Sequence, residues 1–130
     1  MAHLFSCSSY NYLAYLQSYN DRWPGWSITI AGQVGVDAKT GKIPTTLNEQ
    51  FELALNNLGK CLESAGATPA NLIKLNHYVV DLDANNTSRS EILLKFMAGH
   101  RPPGTLVGVA ALAHLKLLYE VDAIAIIEKK

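Results

Sequence analysis

The chain has 130 residues, of which 48% are hydrophobic, and its 11 basic residues balance its 11 acidic ones. This composition predicts one folded domain over residues 1–130 and excludes a disordered chain. The net charge is zero, whereas nucleic-acid-binding domains typically carry an excess of basic residues, so no nucleic-acid partner is expected.

The cysteines and the hydropathy pattern indicate a cytoplasmic protein. Cys7 and Cys61 are far apart and form no CxxC motif, which favours two reduced thiols over a disulfide or a zinc site. The first residues lack the regions of a signal peptide, and no apolar run reaches the ~18 residues of a membrane span. No membrane partner is therefore expected.

The first half of the chain is predicted to form two strands and then a helix. The strands cover residues 12–17 and 27–31, and the segment GQVGVD extends the second one. Thr46 and Glu49 match a capping box, and Gly66 is a natural helix stop. The apolar residues between them recur with helical period: Leu47, Phe51, Ala54, Leu55, Leu58, Leu62 and Ala65.

The second half is predicted to form a strand over 72–80, a helix that begins near Ser88 and ends near Gly99, and strands over 105–110 and 117–127. The last two strands lack simple alternation, which predicts burial on both faces. Two helices on one face of a mixed sheet make an α/β domain. The other face is also predicted to be apolar, and a homo-oligomer would cover it.

The acidic residues Glu120 and Asp122 are predicted to share one face of the last strand, because side chains alternate with period two. One interpretation is a structural carboxylate bonded to backbone or to arginine. The other is a general acid or base whose pKa is raised in a part-buried site.

The histidines and glycines match no known cofactor motif. His3, His77, His100 and His114 have no metal-binding spacing, so no metal site is predicted, and His77 is interpreted as a core or interface residue. No glycine pattern forms a phosphate loop. Ala31 and Gly32 mark either a β-bulge or a close approach of a ligand to the backbone. Trp26, with Tyr19 and Trp23, either lines a pocket or packs a surface corner.

Several stretches together resemble the RidA (YjgF-type) family of reactive-intermediate deaminases. They keep the family's order and nearly its spacing over most of the chain: AYLQ (14–17), AGQVGVDAKTGKI (31–43), EQFELALNNLGKCLESAGATPANLIKLNHYVVDL (49–82), RPPGTLVGVAAL (101–112) and YEVDAIAI (119–126). The resemblance implies a chorismate-mutase-like fold and a homotrimer around a central barrel, with ligand clefts between subunits. It also implies cofactor-free hydrolysis of enamines or imines, such as 2-aminoacrylate, to a 2-keto acid and ammonia.

The resemblance assigns roles to three residues. Glu120 matches the glutamate that orients the attacking water, Gly32 matches the glycine whose backbone approaches the substrate carboxylate, and Tyr15 matches a tyrosine of the cleft. Glu120 and Tyr15 are therefore the expected catalytic residues, and Ala31 and Gly32 belong to the expected substrate-binding set.

One position departs from the family pattern. Gly104 stands where archetypal members carry the arginine that binds the substrate carboxylate. Arg101 lies before Pro102, which matches the proline of the family motif. Arg89, in place of an asparagine of the family's cleft, is either a substitute for that arginine or a solvated helix residue. Thr105 and Leu106 follow Gly104 along the cleft wall, and Leu106 replaces a common cysteine.

Two functions follow as expectations. The first is an enzyme that uses Glu120 to deaminate or tautomerise a small pathway substrate, bulkier than 2-aminoacrylate, with Trp26 near the pocket. The second is a non-catalytic trimer that binds a small ligand or acts as a chaperone-like or regulatory protein.

Overall fold

The computed structural model describes residues 3–6, 13–18, 25–82 and 88–128, with side chains described for 25–82 and 89–128. Within these ranges the chain forms, in order, β1 (His3–Ser6), β2 (Leu13–Ser18), β3 (Gly25–Val34), α1 (Leu47–Ser64), β4 (Leu72–Val80), α2 (Ser88–Met97), β5 (Gly104–Val109) and β6 (Tyr119–Glu128). A short 3₁₀ turn, Pro69–Asn71, leads into β4.

The strands form one mixed sheet in the order β1-β2-β3-β6-β4-β5. All neighbouring strands are antiparallel except β4 and β5, which are parallel. Helix α1 packs across β3 and β6, and α2 packs beside α1, so the predicted mixed sheet with two helices on one face is confirmed. Because β6 lies between β3 and β4, its residues occupy the middle of the sheet.

Helix α1 begins and ends where its sequence signals predict. The backbone N–H of Glu49 donates to the Thr46 hydroxyl oxygen at 3.3 Å, and that hydroxyl donates to the Glu49 carboxylate at 2.7 Å. Gly66 follows the helix with a φ of 75°, in the left-handed region that favours glycine. The buried face of α1 supplies much of the hydrophobic core: Phe51, Ala54, Leu55, Leu58, Cys61 and Leu62.

The strands differ from the sequence prediction in three respects. β1 was not predicted, and β3 (Gly25–Val34) begins two residues earlier than predicted and ends inside GQVGVD, the segment predicted to extend it. β5 is exposed along most of its length, so its predicted burial on both faces is wrong for the single chain. The reason is its position, since an edge strand has a neighbour on one side only.

The sheet face opposite the helices, here called the open face, is more polar than predicted. Its middle carries Asn76, Tyr78, Glu120 and Asp122, which alternation along β4 and β6 places on the same side. Exposed apolar side chains, including Val107 and Ile126, lie on the same face. The open face therefore combines apolar contact area with a central carboxylate cluster.

A buried glutamine fixes the segment that leads into β6. The Gln50 side-chain amide donates to the backbone carbonyls of Pro44 at 2.8 Å and Lys116 at 2.9 Å. Its carbonyl oxygen accepts from the backbone N–H of Leu118 at 2.8 Å. Similarly, the buried Asn57 amide donates to the carbonyls of Val34, at the end of β3, and of Val36 just after it. Helix α1 thus holds the end of β3 and the start of β6, the strand that carries Glu120.

Replacing Gln50 by leucine should lower the free energy of unfolding by about 2–4 kcal/mol, because it leaves three backbone groups without their partner. Urea denaturation followed by far-UV circular dichroism measures this loss. Glu52→Gln, at an exposed position on the same helix, is the matched control and should change stability by less than about 0.5 kcal/mol. Equal stability of the two variants would contradict this role of Gln50.

Candidate active site

Glu120 lies on the open face beside a β-bulge in β3. Ile30 pairs with Ala123 and Gln33 pairs with Val121, so Ala31 and Gly32 together oppose one residue of β6. This is the two-against-one arrangement of a β-bulge. The bulge turns the backbone of Gly32 toward the side chain of Glu120.

Gly32 leaves the space that the Glu120 carboxylate occupies. A Cβ built on Gly32 would overlap the Glu120 carboxylate, with Cδ at 2.7 Å and Cγ at 3.0 Å. Of the two alternatives drawn from the sequence, the β-bulge is therefore present, and the approach of a ligand to this backbone stays a prediction. The approaching group within this chain is the Glu120 side chain.

The environment of Glu120 makes its carboxyl a weaker acid than that of an ordinary glutamate. Burial raises the pKa of the Glu120 carboxyl, and the nearby negative charge of Asp122 raises it further. A carboxyl with a raised pKa can accept and return a proton more readily near neutral pH than an ordinary one. Glu120 thus has the properties expected of a general acid or base.

Asp122 is a structural carboxylate, which was one of the two interpretations of this acidic pair. Its two carboxylate oxygens accept hydrogen bonds from the Asn76 amide at 2.8 Å and the Tyr78 hydroxyl at 2.7 Å. The hydrogen bond to Asp122 raises the pKa of Tyr78, because it stabilises the protonated phenol. The partners of Asp122 are an amide and a phenol, where backbone or an arginine had been expected.

A cavity of about 310 Å³, here called the edge cavity, lies on the helix side of the sheet, between α2 and the β4–β5 edge. Its polar side chains come from His77, Arg89 and Ser90. Thr105 also borders it, although alternation along β5 places its side chain on the open face. Its apolar lining comes from both helices, β4, β5 and the loop before β5: Phe51, Leu75, Leu93, Met97, Pro102 and Leu106. A small, mostly apolar cavity with a few polar groups is typical of a ligand site.

Four of the residues predicted to bind substrate lie together in the edge cavity: Arg89, Gly104, Thr105 and Leu106. The Thr105 hydroxyl accepts a hydrogen bond from the Lys74 ammonium at 3.1 Å. Arg101 is exposed and does not line the cavity. Of the two nearby arginines, Arg89 is therefore the one placed to contact a ligand there.

The remaining predicted residues lie elsewhere. Glu120, Ala31 and Gly32 lie at the bulge, where Glu120 points to the opposite side of the sheet from the edge cavity. Trp26 pairs with Ile127, seven residues along β6 from Glu120, which corresponds to about 23 Å of strand. Within one chain, Trp26 is thus apart from both groups. Tyr15 is described only by its backbone, opposite Thr29, and Cys7, Tyr19 and Trp23 lie outside the described residues.

Sequence reasoning missed a buried pair in the wall of the edge cavity. The His77 Nδ1 lies 2.6 Å from the Tyr119 hydroxyl oxygen, and the Phe51 ring packs on the Tyr119 ring with centroids 4.3 Å apart. Burial lowers the pKa of His77 to about 4, partly offset by the charge of Asp122 and reinforced by that of Arg89. Burial also strongly raises the pKa of Tyr119. Both side chains are therefore neutral at pH 7.

Two features are absent from the described residues: a metal site and a membrane-spanning helix. Between residues 25 and 82 and between 89 and 128, no three histidine, cysteine or acidic side chains come together as a metal site would require. Of the helices the structure describes, neither α1 nor α2 has the length and hydropathy to cross a bilayer.

Comparison with known proteins identifies the family. The family model described as Endoribonuclease L-PSP matches residues 11–127. A 2-iminobutanoate/2-iminopropanoate deaminase of Mus musculus is 34% identical over 101 residues, which cover 77% of this chain and 73% of that protein. The chain belongs to the YjgF/RidA family.

Solved structures of the YjgF/RidA family have the same fold. The Rid-family protein YyfB of Yersinia pestis, described as of unknown function, superposes with a TM-score of 0.70 at 36% identity, over 76% of this chain and 77% of its own. TdcF of E. coli, solved with bound serine, superposes with a TM-score of 0.71 at 26% identity, over 78% of this chain and 81% of its own. The chorismate-mutase-like fold implied by the sequence resemblance is thus confirmed, and relatives of the chain are named as deaminases.

The lowered pKa of His77 predicts a specific dependence of stability on pH. The unfolded chain protonates His77 near pH 6.5, whereas the folded chain does so only near pH 4. Between these values the unfolded state binds more protons, so the free energy of unfolding falls as the pH is lowered. His77 alone should contribute a loss of up to about 3 kcal/mol across this window.

Urea denaturation at a series of pH values, on the native chain and on His77→Gln, measures this contribution as the difference between the two curves. The curve of His77→Gln should be flatter between pH 6.5 and 4, and His114→Asn, at an exposed position, should follow the native curve. Parallel curves for the native chain and His77→Gln would show that His77 protonates normally in the folded state.

Proposed function

We propose that the protein is an enamine/imine deaminase whose active site is assembled between neighbouring copies of the chain. The single observation that carries this proposal is the division of the candidate residues: Glu120 lies on the open face, and the edge cavity lies on the helix side. In one chain these two groups cannot reach the same small molecule. In a closed oligomer, Glu120 of one copy can face the edge cavity of the next.

A homotrimer is the proposed assembly. The open face and β5 carry exposed apolar side chains; Leu106, for example, is 46% exposed in the single chain and Val107 is 39% exposed. Neighbouring copies would cover them. The raised pKa of Glu120 would rise further under such cover, since more of the carboxyl would be withdrawn from water. The buried Cys61 thiol is compatible with the proposed cytoplasmic location.

The proposed reaction is hydrolysis of an imine formed from an enamine. The Glu120 carboxylate accepts a proton from a water molecule, and the water oxygen forms a bond to the imine carbon while the C=N double bond becomes single. Glu120 then returns the proton to the nitrogen, which gives a carbon that carries one hydroxyl and one amino group. In a second transfer Glu120 accepts the hydroxyl proton and passes it to the amino nitrogen. The C–N bond breaks as the C=O double bond forms, so that a 2-keto acid and ammonia are the products. Tautomerisation of a carbonyl compound would use the same proton transfer at Glu120 without the water.

Gly32 is proposed to serve this chemistry in two ways. Its missing side chain leaves room for the Glu120 carboxylate, and its backbone lies at a bulge, where an N–H group is available to a substrate carboxylate. A side chain at position 32 would displace Glu120 from this place. Tyr15 is proposed to line the same cleft, on the basis of the family resemblance.

The proposed substrate is a dedicated pathway intermediate larger than 2-aminoacrylate. Glycine at position 104 cannot supply the charged hydrogen bonds that an arginine would give a small carboxylate, which are worth roughly 1.5–3 kcal/mol each. In exchange, the edge cavity offers apolar surface from Leu93, Met97 and Leu106. A substrate with an apolar side chain would recover binding energy there.

Replacing Glu120 by glutamine should reduce turnover about 100-fold or more, because the amide cannot accept the proton of the attacking water. Ammonia release from enamines and imines generated in the assay by an amino-acid oxidase measures the rate. Glu128→Gln is the matched control, since Glu128 lies on the same face of the same strand at its exposed end. It should retain the native rate.

Equal rates for native protein and Glu120→Gln would remove Glu120 from the mechanism. Absence of turnover over a range of imino acids, with a small molecule still bound by the native protein, would favour the non-catalytic ligand-binding function instead.

A further inference from the structure

The His77–Tyr119 pair presents an imidazole to the edge cavity, whose other polar lining includes Arg89 and Ser90. The Tyr119 hydroxyl is buried, and its hydrogen-bond partner among the described residues is His77 Nδ1 at 2.6 Å. A buried phenol must donate its proton to an acceptor, and an unprotonated imidazole nitrogen is a strong one. Since both side chains are neutral, this bond places the single imidazole proton of His77 on Nε2.

Gly104 gives access to this N–H group. His77 Nε2 lies 3.8 Å from the position that a Cβ on Gly104 would occupy, and both residues line the edge cavity. Among the described residues, the hydrogen bond of the His77 imidazole is the one at Nδ1. An N–H donor in a mostly apolar cavity favours a ligand that brings an acceptor oxygen, because a buried donor without a partner costs free energy.

We infer that His77 is the polar anchor of the edge cavity, where its Nε2–H donates to an oxygen of a 2-imino or 2-oxo acid with a branched or aromatic side chain. The apolar side chain of the ligand packs against Leu93, Met97 and Leu106. Tyr119 acts as a positioning residue, since it holds the imidazole in the tautomer that donates into the cavity. The inference rests on the proposed function for the choice of ligand class. It assigns His77 the role of anchoring the ligand oxygen and the apolar lining the role of selecting the side chain.

The native protein provides the first test, with stable 2-oxo acids as probes. We expect 4-methyl-2-oxopentanoate to bind at least about 10-fold more tightly than pyruvate, because its isobutyl group buries more apolar area. The ¹⁵N resonance of His77 Nε2 should shift on addition of this probe. Equal affinity for the two acids, or an unmoved Nε2 resonance at saturation, would overturn the inference.

Two substitutions of His77 separate its two hydrogen bonds. His77→Asn keeps an acceptor near the Tyr119 hydroxyl and removes the donor in the cavity, so affinity for 4-methyl-2-oxopentanoate should fall about 10-fold. His77→Gln places an amide N–H near the position of Nε2 and should retain affinity within about 3-fold. Thermal unfolding of both variants verifies that each is folded. Equal affinity of folded His77→Asn and native protein would exclude the proposed anchor.

Turnover measured on the same preparations distinguishes this inference from the proposed function. If no imino acid is deaminated but binding of the probe depends on His77, the anchor is supported and the deaminase proposal fails. If imino acids are deaminated without dependence on side-chain size or on His77, the deaminase proposal stands and the anchor is excluded.

Discussion

The alternation of side chains across the central strands is the constraint on which the rest of the structure depends. Tyr119 and Val121 point to the helices, whereas Glu120 and Asp122 point to the open face. The same alternation along β4 separates His77 from Asn76 and Tyr78. The neutral His77–Tyr119 pair is therefore on one side of the sheet, and the carboxyl groups of Glu120 and Asp122 are on the other. In the proposed function, the two sides are two halves of one site with the sheet between them.

Both halves depend on a side chain that is missing. At Gly32, the bare backbone lets the Glu120 carboxylate lie against the bulge, and any larger residue would overlap it. At Gly104, the absence of a side chain leaves His77 Nε2 accessible from the edge cavity. By the sequence resemblance, the first glycine matches the pattern of the family and the second stands in place of its arginine. In the proposed site the proton-transferring part is thus kept, while the ligand-binding part is lined by apolar side chains together with Arg89.

Local signals in the sequence predicted the elements well where they were strong. The strand predicted at 72–80 is β4, Leu72–Val80, and Thr46 and Gly66 mark the ends of α1 as predicted. β1 was missed because its four residues, HLFS, are too few to show a period. β3 continues past residue 31 into GQVGVD, as predicted, because the bulge absorbs one extra residue without ending the ladder.

The site was predictable in its residues but not in its arrangement. Spacing placed Glu120 and Asp122 on one face, and the family resemblance supplied a role for Glu120, whereas the role of Asp122 follows from its hydrogen bonds to Asn76 and Tyr78. The pairing of His77 with Tyr119 joins residues 42 positions apart, and nothing local to either one indicates it. Likewise, Arg89 and Gly104 meet in one cavity only because α2 packs over the β4–β5 edge. Such contacts depend on tertiary packing, which a single sequence shows only indirectly.

The central claim is that two copies of the chain complete one site, and subunit complementation tests it most directly. Glu120→Gln chains lack the proton-transferring group, and Leu106→Trp chains have a filled edge cavity. When the two variants are co-expressed, a site is active if one copy provides an intact Glu120 and the neighbouring copy provides an unfilled edge cavity. Random mixing should restore about a quarter of native turnover, although each variant alone is inactive. Turnover of the mixture no higher than that of the separate variants would show that each chain carries its own complete site.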